Sequence, residues 1–161
     1  MMKNFFPNNT ALYALIASCF VVCVTMGVRQ TFGLYSSEFE STSGTSNTEF
    51  GLAIAVHAIF WGIFTPIFGR ISDRLGGYVV IVPALIFYSI AMLLMGNNYI
   101  SGMWLQINLG LFVGLGLAGA AGTILTPMVS KHFPNVNRST AAGYVTAWGG
   151  LGMFIFPFMA N

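Results

Sequence analysis

Five apolar stretches, Ala11 to Ser36, Phe50 to Phe68, Tyr78 to Gly96, Met103 to Ser130 and Thr140 to Ala160, occupy most of this chain. Each is close to or above the ~20 residues that cross a hydrocarbon core of ~30 Å. Inside hydrocarbon an unpaired backbone amide has no water to turn to, so a spanning segment must close its own hydrogen bonds as a helix. The expected fold is therefore all-α, a polytopic membrane bundle. The fourth stretch is the longest, and it would tilt or extend beyond the bilayer. Composition agrees: 56% of residues are hydrophobic and 6% charged, against about 25% charged in soluble domains. The first run is too long for the apolar core of a signal peptide and has no small-residue cleavage site beyond it, so it reads as a retained span.

The breaks between spans carry the topology. Glu40 to Glu49 is polar and turn-rich, and Ser46 with Glu49 has capping-box spacing, which places the start of the second helix there. Asn97-Asn98-Tyr99 and Pro134-Asn135-Val136-Asn137 supply later breaks, leaving no room for a soluble domain. Lys3, Arg70, Arg74, Lys131 and Arg138 fall at the N-terminus and in the second and fourth loops, which alternate onto one side. Cytoplasmic loops accumulate Lys and Arg, so that side is cytoplasmic. Glu38, Glu40 and Glu49 fall in the first loop and the third has no charge, so the N-terminus lies inside the cell and the chain ends outside, at Asn161.

Charge and chemistry also exclude classes. A net charge of +2, dispersed over the chain, is too little for a nucleic-acid surface. Cys19 and Cys23 share one helix face with no histidine or second cysteine pair to complete a metal site, so they read as packing residues. No metal and no cofactor is expected. With no carboxylate pair and no nucleophile–base set, an enzyme is disfavoured.

Gly69-Arg70-Ile71-Ser72-Asp73-Arg74-Leu75-Gly76 reads as a charged, glycine-framed turn between two spans. It resembles the cytoplasmic loop between the second and third helices of major facilitator superfamily transporters, Gly-x-x-x-Asp-Arg/Lys-x-Gly-Arg/Lys-Arg/Lys, and departs from it at Gly77 and Tyr78, where the last basic pair would stand. Gly27-Val28-Arg29-Gln30-Thr31-Phe32-Gly33-Leu34-Tyr35 is similar to the end of the first helix in the monocarboxylate and oxalate/formate antiporter branch. Phe133 through Gly150, with Arg138, Ala141, Gly143 and Ala147, is similar to that branch's fifth-helix signature. The resemblance implies a twelve-helix fold whose halves are each built from two inverted three-helix repeats. On that reading residues 1–161 are a partial N-terminal domain: a complete first repeat, two helices of the second, and a fragment or truncated form of the whole. It implies a secondary carrier of small organic anions of the monocarboxylate type in the cell membrane, coupled to protons or to an exchanged anion. The competing reading is a small, non-transporting integral protein that oligomerises through glycine-rich helix faces.

Individual residues then divide between function and packing. Arg29 is the sole Lys or Arg well inside an apolar span, where insertion scales charge about 2.5 to 3.5 kcal/mol for it. Either its planar fork faces a central cavity and holds a substrate carboxylate, or it snorkels toward the outer interface and Glu38. Gln30 or Thr31 would add a hydrogen bond. His57, the one ionisable group of the second span as delimited, is either a satisfied interhelical hydrogen-bonding residue or a proton relay. His132 reads as interfacial. Tyr88, Tyr144 and Trp148 either line a cavity with their polar tips or anchor and pack. Gly110, Gly114, Ala118 and Gly122 recur every four residues as a smooth packing stripe, and Gly143, Ala147 and Gly150 give the fifth span a similar face, loosened by Gly149 and Gly152. Pro66, Pro83, Pro127 and Pro157 are expected to bend their helices. For Gly69, Asp73, Arg74 and Gly76 the plain reading is a solvated turn that sets topology. The resemblance implies more, a gate in which the aspartate caps or pairs at a helix end in the opposite half of the transporter.

Overall fold

The computed structural model describes residues 9–96, 102–134 and 137–160. Lys3, the break at Asn97-Asn98-Tyr99, Asn135, Val136 and the terminal Asn161 lie outside the described residues. The described chain is helical: α1 (Asn9–Thr31), α2 (Ser36–Ser43), α3 (Asn47–Leu75), α4 (Tyr78–Met95), α5 (Met103–Leu105), a π-helical segment (Gln106–Phe112), α6 (Val113–Ala120), α7 (Gly122–Ser130) and α8 (Arg138–Met159). Five stretches are long and apolar enough to cross a membrane: α1, α3, α4, the composite Met103–Ser130 and α8.

Three boundaries differ from the sequence reading. The first span ends at Thr31 and not at Ser36, and the polar region expected as an open loop begins with a second helix, α2. Its Phe39 ring sits 5.6 Å from Phe50, and Glu40 accepts from Asn47 Nδ2 at 2.7 Å, so α2 is tied to the start of α3 by one apolar and one polar contact. Gly44 closes α2 in the left-handed region, φ 67°. The capping box itself forms as its spacing indicates: Glu49 N donates to Ser46 Oγ at 3.2 Å and Ser46 N donates to Glu49 Oε2 at 3.0 Å.

The second difference is at the other end of α3, which runs on to Leu75. Arg70, Asp73 and Arg74 are exposed; charged side chains that reach water do not interrupt the backbone ladder beneath them. The ladder closes with Gly76 N donating to Ser72 O at 3.0 Å, and Gly76 then turns at φ 95°, a conformation only glycine adopts readily. The expected eight-residue turn is thus mostly helix, with the turn itself confined to Gly76 and Gly77.

The third difference is the fourth span. After the short α5 it continues as a π-helical segment, and it is interrupted at Ala121, whose φ −76° and ψ 166° are extended backbone. The N–H groups of Ile124 and Leu125 both turn to Ala121 O, at 3.1 and 3.2 Å, to start α7 afresh. Pro127 sits inside α7, so the interruption is not placed by the proline.

Contacts cluster the chain into two compact units, residues 1–31 with 121–161 and residues 32–120. In the first, α1 and α8 meet backbone to backbone. A Cβ on Gly152 would fall on the carbonyl oxygen of Cys23, one on Gly149 would come within 2.8 Å of Val22 Cγ1, and one on Gly27 within 2.9 Å of Gly152 O. The numbers rise together along the contact, so α1 and α8 are parallel. The buried face of α8 is Ala141, Val145, Gly149 and Gly152. This corrects the expected face: Gly143, Ala147 and Gly150 are exposed, and Gly143 and Gly150 have nothing within 4 Å of an added Cβ.

In the second unit the fourth span packs between α3 and α4. A Cβ on Gly110 would lie 2.6 Å from Val56 Cγ1, and one on Gly114 would lie 2.8 Å from Phe60 Cβ and 3.0 Å from His57 O, both on α3. A Cβ on Gly116 would lie 2.8 Å from Tyr88 Cβ and 3.1 Å from Ala84 O, and one on Gly119 would lie 3.2 Å from Val80 Cγ1, all on α4. Numbering rises together toward α3 and runs opposite toward α4, as alternate crossings require. Ala118 is fully buried. Gly122 belongs to the first unit and has nothing closer than 3.7 Å. The stripe expected to join copies of the chain is therefore occupied inside it at Gly110 and Gly114.

Candidate substrate site and gate

Arg29 and Gln30 stand in the last turn of α1, Arg29 half-buried and Gln30 exposed. Thr31 is buried and its hydroxyl donates to Val28 O at 2.7 Å. Tyr144 and Trp148, one turn apart on α8, are 50% and 46% exposed, in the row beside the face that meets α1. Because α1 and α8 are parallel with Val22 at the level of Gly149, Arg29 lies eight residues beyond the level of Trp148, about 12 Å along the axis at 1.5 Å per residue. Tyr144 and Trp148 share a surface; Arg29 stands apart from both.

Tyr88 and His57 belong to the other unit. Tyr88 is buried with its Cβ against Gly116. His57 is 1% exposed, its ring 6.1 Å from that of Trp61 and its backbone against Gly114. Both side chains are held by helix packing within this unit. His132 is exposed past the end of α7, with Nδ1 3.1 Å from Met128 O.

The residues of the candidate gate have a more definite setting. Asp73 and Arg74 are exposed in the last turn of α3, with Gly69 half-buried and Gly76 at the turn. Arg74 suits a helix C-terminus, where the macrodipole is negative, whereas Asp73 carries the opposite charge beside it. Along α3, Gly51, Ala55, Ala58, Gly62 and Pro66 are all exposed at spacings of three and four, and nothing comes within 4 Å of an added Cβ at Gly51 or Gly62. This smooth row runs toward Gly69 and Asp73. It is absent from the sequence reading above, although its three-and-four spacing of small residues was there to be counted.

Two further polar residues were missed. Gln106 and Asn108, on the π-helical segment, donate to backbone carbonyls of neighbouring helices, Gln106 Nε2 to Glu49 O at 2.9 Å and Asn108 Nδ2 to Ala91 O at 3.1 Å. Their signal was chemical rarity: they are the only amides in an otherwise apolar span. Among the described residues no group of three or more His, Cys, Asp or Glu side chains converges to hold a metal ion.

Parallel and antiparallel apolar helices with broken and glycine-faced segments define a polytopic helical membrane protein. Residues 10–161 match the Major Facilitator Superfamily, and the chain belongs to that family. Among curated relatives it is 28% identical over 128 residues to the tetracycline resistance protein, class H, of Pasteurella multocida, covering 78% of this chain and 30% of that protein. It is 30% identical over 124 residues to the class B tetracycline resistance protein of Escherichia coli, covering 77% and 30%. With the quinolone resistance protein NorA of Staphylococcus aureus it shares 24% over 160 residues, covering 95% and 39%. The chain thus spans about a third of the length of these relatives. No solved structure matches it.

Proposed function

We propose that this chain is the N-terminal portion of a secondary active carrier that moves a small organic molecule across the cell membrane, with its N-terminus in the cytoplasm. The observation that carries the reading is the uncovered small-residue row of α3 ending in Asp73 and Arg74, on a chain belonging to a transporter family. Small residues let a second helix approach closely in lipid, and the charged pair Asp73 and Arg74 stands exposed at the end of that row. In alternating access such a contact closes the cytoplasmic side while the cavity opens outward.

For the substrate, the resistance proteins among the relatives favour an organic compound of the tetracycline or quinolone type, moved outward. A second reading keeps the small organic anion, since Arg29 offers a planar fork for a carboxylate at the end of α1. Gln30, Tyr144 and Trp148 would serve either substrate on the exposed surfaces of their unit, and His57 would relay a proton only if a conformational step opens its packing. The test is gradient-driven movement of tetracycline, a quinolone and lactate in membrane vesicles carrying the chain extended by whatever coding sequence follows Asn161. Movement of either drug that falls in Asp73→Asn supports the drug reading, and movement of lactate that falls in Arg29→Gln supports the anion reading. Failure with all three at normal membrane abundance removes both.

The orientation has its own check. A reporter active only in the cytoplasm, fused after Gly77, should be active, and the same reporter fused after Gly44 should be silent, because the basic residues flank one side. The reverse pattern would overturn the proposed topology.

A further inference from the structure

The π-helical segment carries two amides that are each half-used. Asn108 is 3% exposed, its Nδ2 bonded to Ala91 O at 3.1 Å, while no protein donor reaches its buried Oδ1. Gln106 repeats the arrangement toward α3: Nε2 is bonded to Glu49 O, and the buried Oε1 meets no protein donor. A buried acceptor left without a donor is destabilising, and two of them fall in one seven-residue segment.

We propose that this segment holds ordered internal water, one molecule donating to Asn108 Oδ1 and another to Gln106 Oε1. The chemistry selects the ligand. Both atoms are acceptors, so an anion is excluded. The fourth span and α4 contain no acidic or basic residue, and the Glu49 carboxylate of α3 is engaged by the Ser46 backbone N and hydroxyl of its own capping box, so a cation would lose its hydration against neutral oxygens, a cost such sites do not recover. Leu105, Leu109 and Val113 of the same span are fully buried, and such apolar packing favours a small neutral donor over a larger solute. A buried water needs two to four polar partners. The wide turn supplies them: Val113 N is shared between Asn108 O and Gly110 O, and carbonyls that a helix holds out of α register are the groups that ordered water re-satisfies in membrane helices. The proposal is independent of which substrate is carried.

The test is X-ray hydroxyl-radical footprinting of the 161-residue chain in lipid nanodiscs, in water enriched in oxygen-18, read by mass spectrometry. Radicals form at bound water, so Leu109 should be modified although fully buried, well above Leu117 and Val145, which are equally buried but lie away from any unsatisfied amide oxygen. Exposed Met103 and Trp104 report full dose, and background labelling of buried Leu117 and Val145 reports an intact fold. In Asn108→Leu, Leu109 should fall to the background of Leu117. Background labelling of Leu109 in the unaltered chain overturns the proposal whether or not the variant folds, and so does labelling that persists in a folded Asn108→Leu.

Discussion

Gly152→Val should unfold the α1–α8 pairing, while Gly150→Val, two residues away on the same helix, should leave it intact. The added Cβ at Gly152 collides with the Cys23 carbonyl, which is backbone and cannot rotate aside. Overpacking a tight contact typically costs about 1 to 3 kcal/mol and occasionally more, and a backbone-to-backbone seam stands at the upper end, because relief requires separating two whole helices. At Gly150 nothing lies within 4 Å, so the change should stay within about 0.5 kcal/mol, as surface substitutions do. Thermal unfolding of the purified chain in one detergent, followed by helical circular dichroism, separates the two. Equal melting temperatures would show that α8 does not present its Gly149 and Gly152 face to α1.

The second expected result uses proline to read the broken span. Gly122→Pro should be tolerated and Gly119→Pro should be severely destabilising. Gly122 is the first residue of α7, where an N–H has no intrahelical acceptor to lose. The residue before it, Ala121, already has the extended conformation that a following proline demands. Nothing closer than 3.7 Å meets a Cβ there. Gly119 lies inside α6, where proline removes a ladder hydrogen bond and clashes one turn back, about 3 kcal/mol or more, and where even a Cβ would press on Val80 and Ala84. The measurement is again the unfolding midpoint, with proteolysis as a second readout. Were Gly122→Pro as damaging as Gly119→Pro, the fourth span would be one continuous helix.

The stripe from Gly110 to Gly122 illustrates how far sequence periodicity carries. Its four-residue spacing correctly marks close packing, since no other use of so many glycines suits a membrane helix. Spacing cannot say what the packing partner is. Gly110 and Gly114 are taken by α3, and the unanticipated Gly116 and Gly119 by α4; Gly114→Leu should therefore destabilise the second unit from within, whatever it does to association. The fifth span teaches the same lesson with the opposite outcome. Two small-residue faces were present in its sequence, one containing Gly143, Ala147 and Gly150 and the other Gly149 and Gly152, and nothing in the local pattern ranks them.

What the amino-acid sequence determined by itself is what local physics enforces. Hydrocarbon leaves a backbone only helix to satisfy its own hydrogen bonds, so five apolar runs become five spans. A serine three residues before a glutamate closes a capping box without help from elsewhere. Tertiary structure decided what depends on residues distant in sequence: the face α8 buries, the side-chain anchors of the π-helical segment on α3 and α4, and the interruption at Ala121. Alanine is the best helix former, so Ala121 itself does not call for a break, and the flanking Gly119 and Gly122 weaken the helix without saying where it stops. The break falls where the chain passes from one compact unit to the other, α6 packing on α3 and α4 and α7 on α1 and α8, and those partners are distant in sequence.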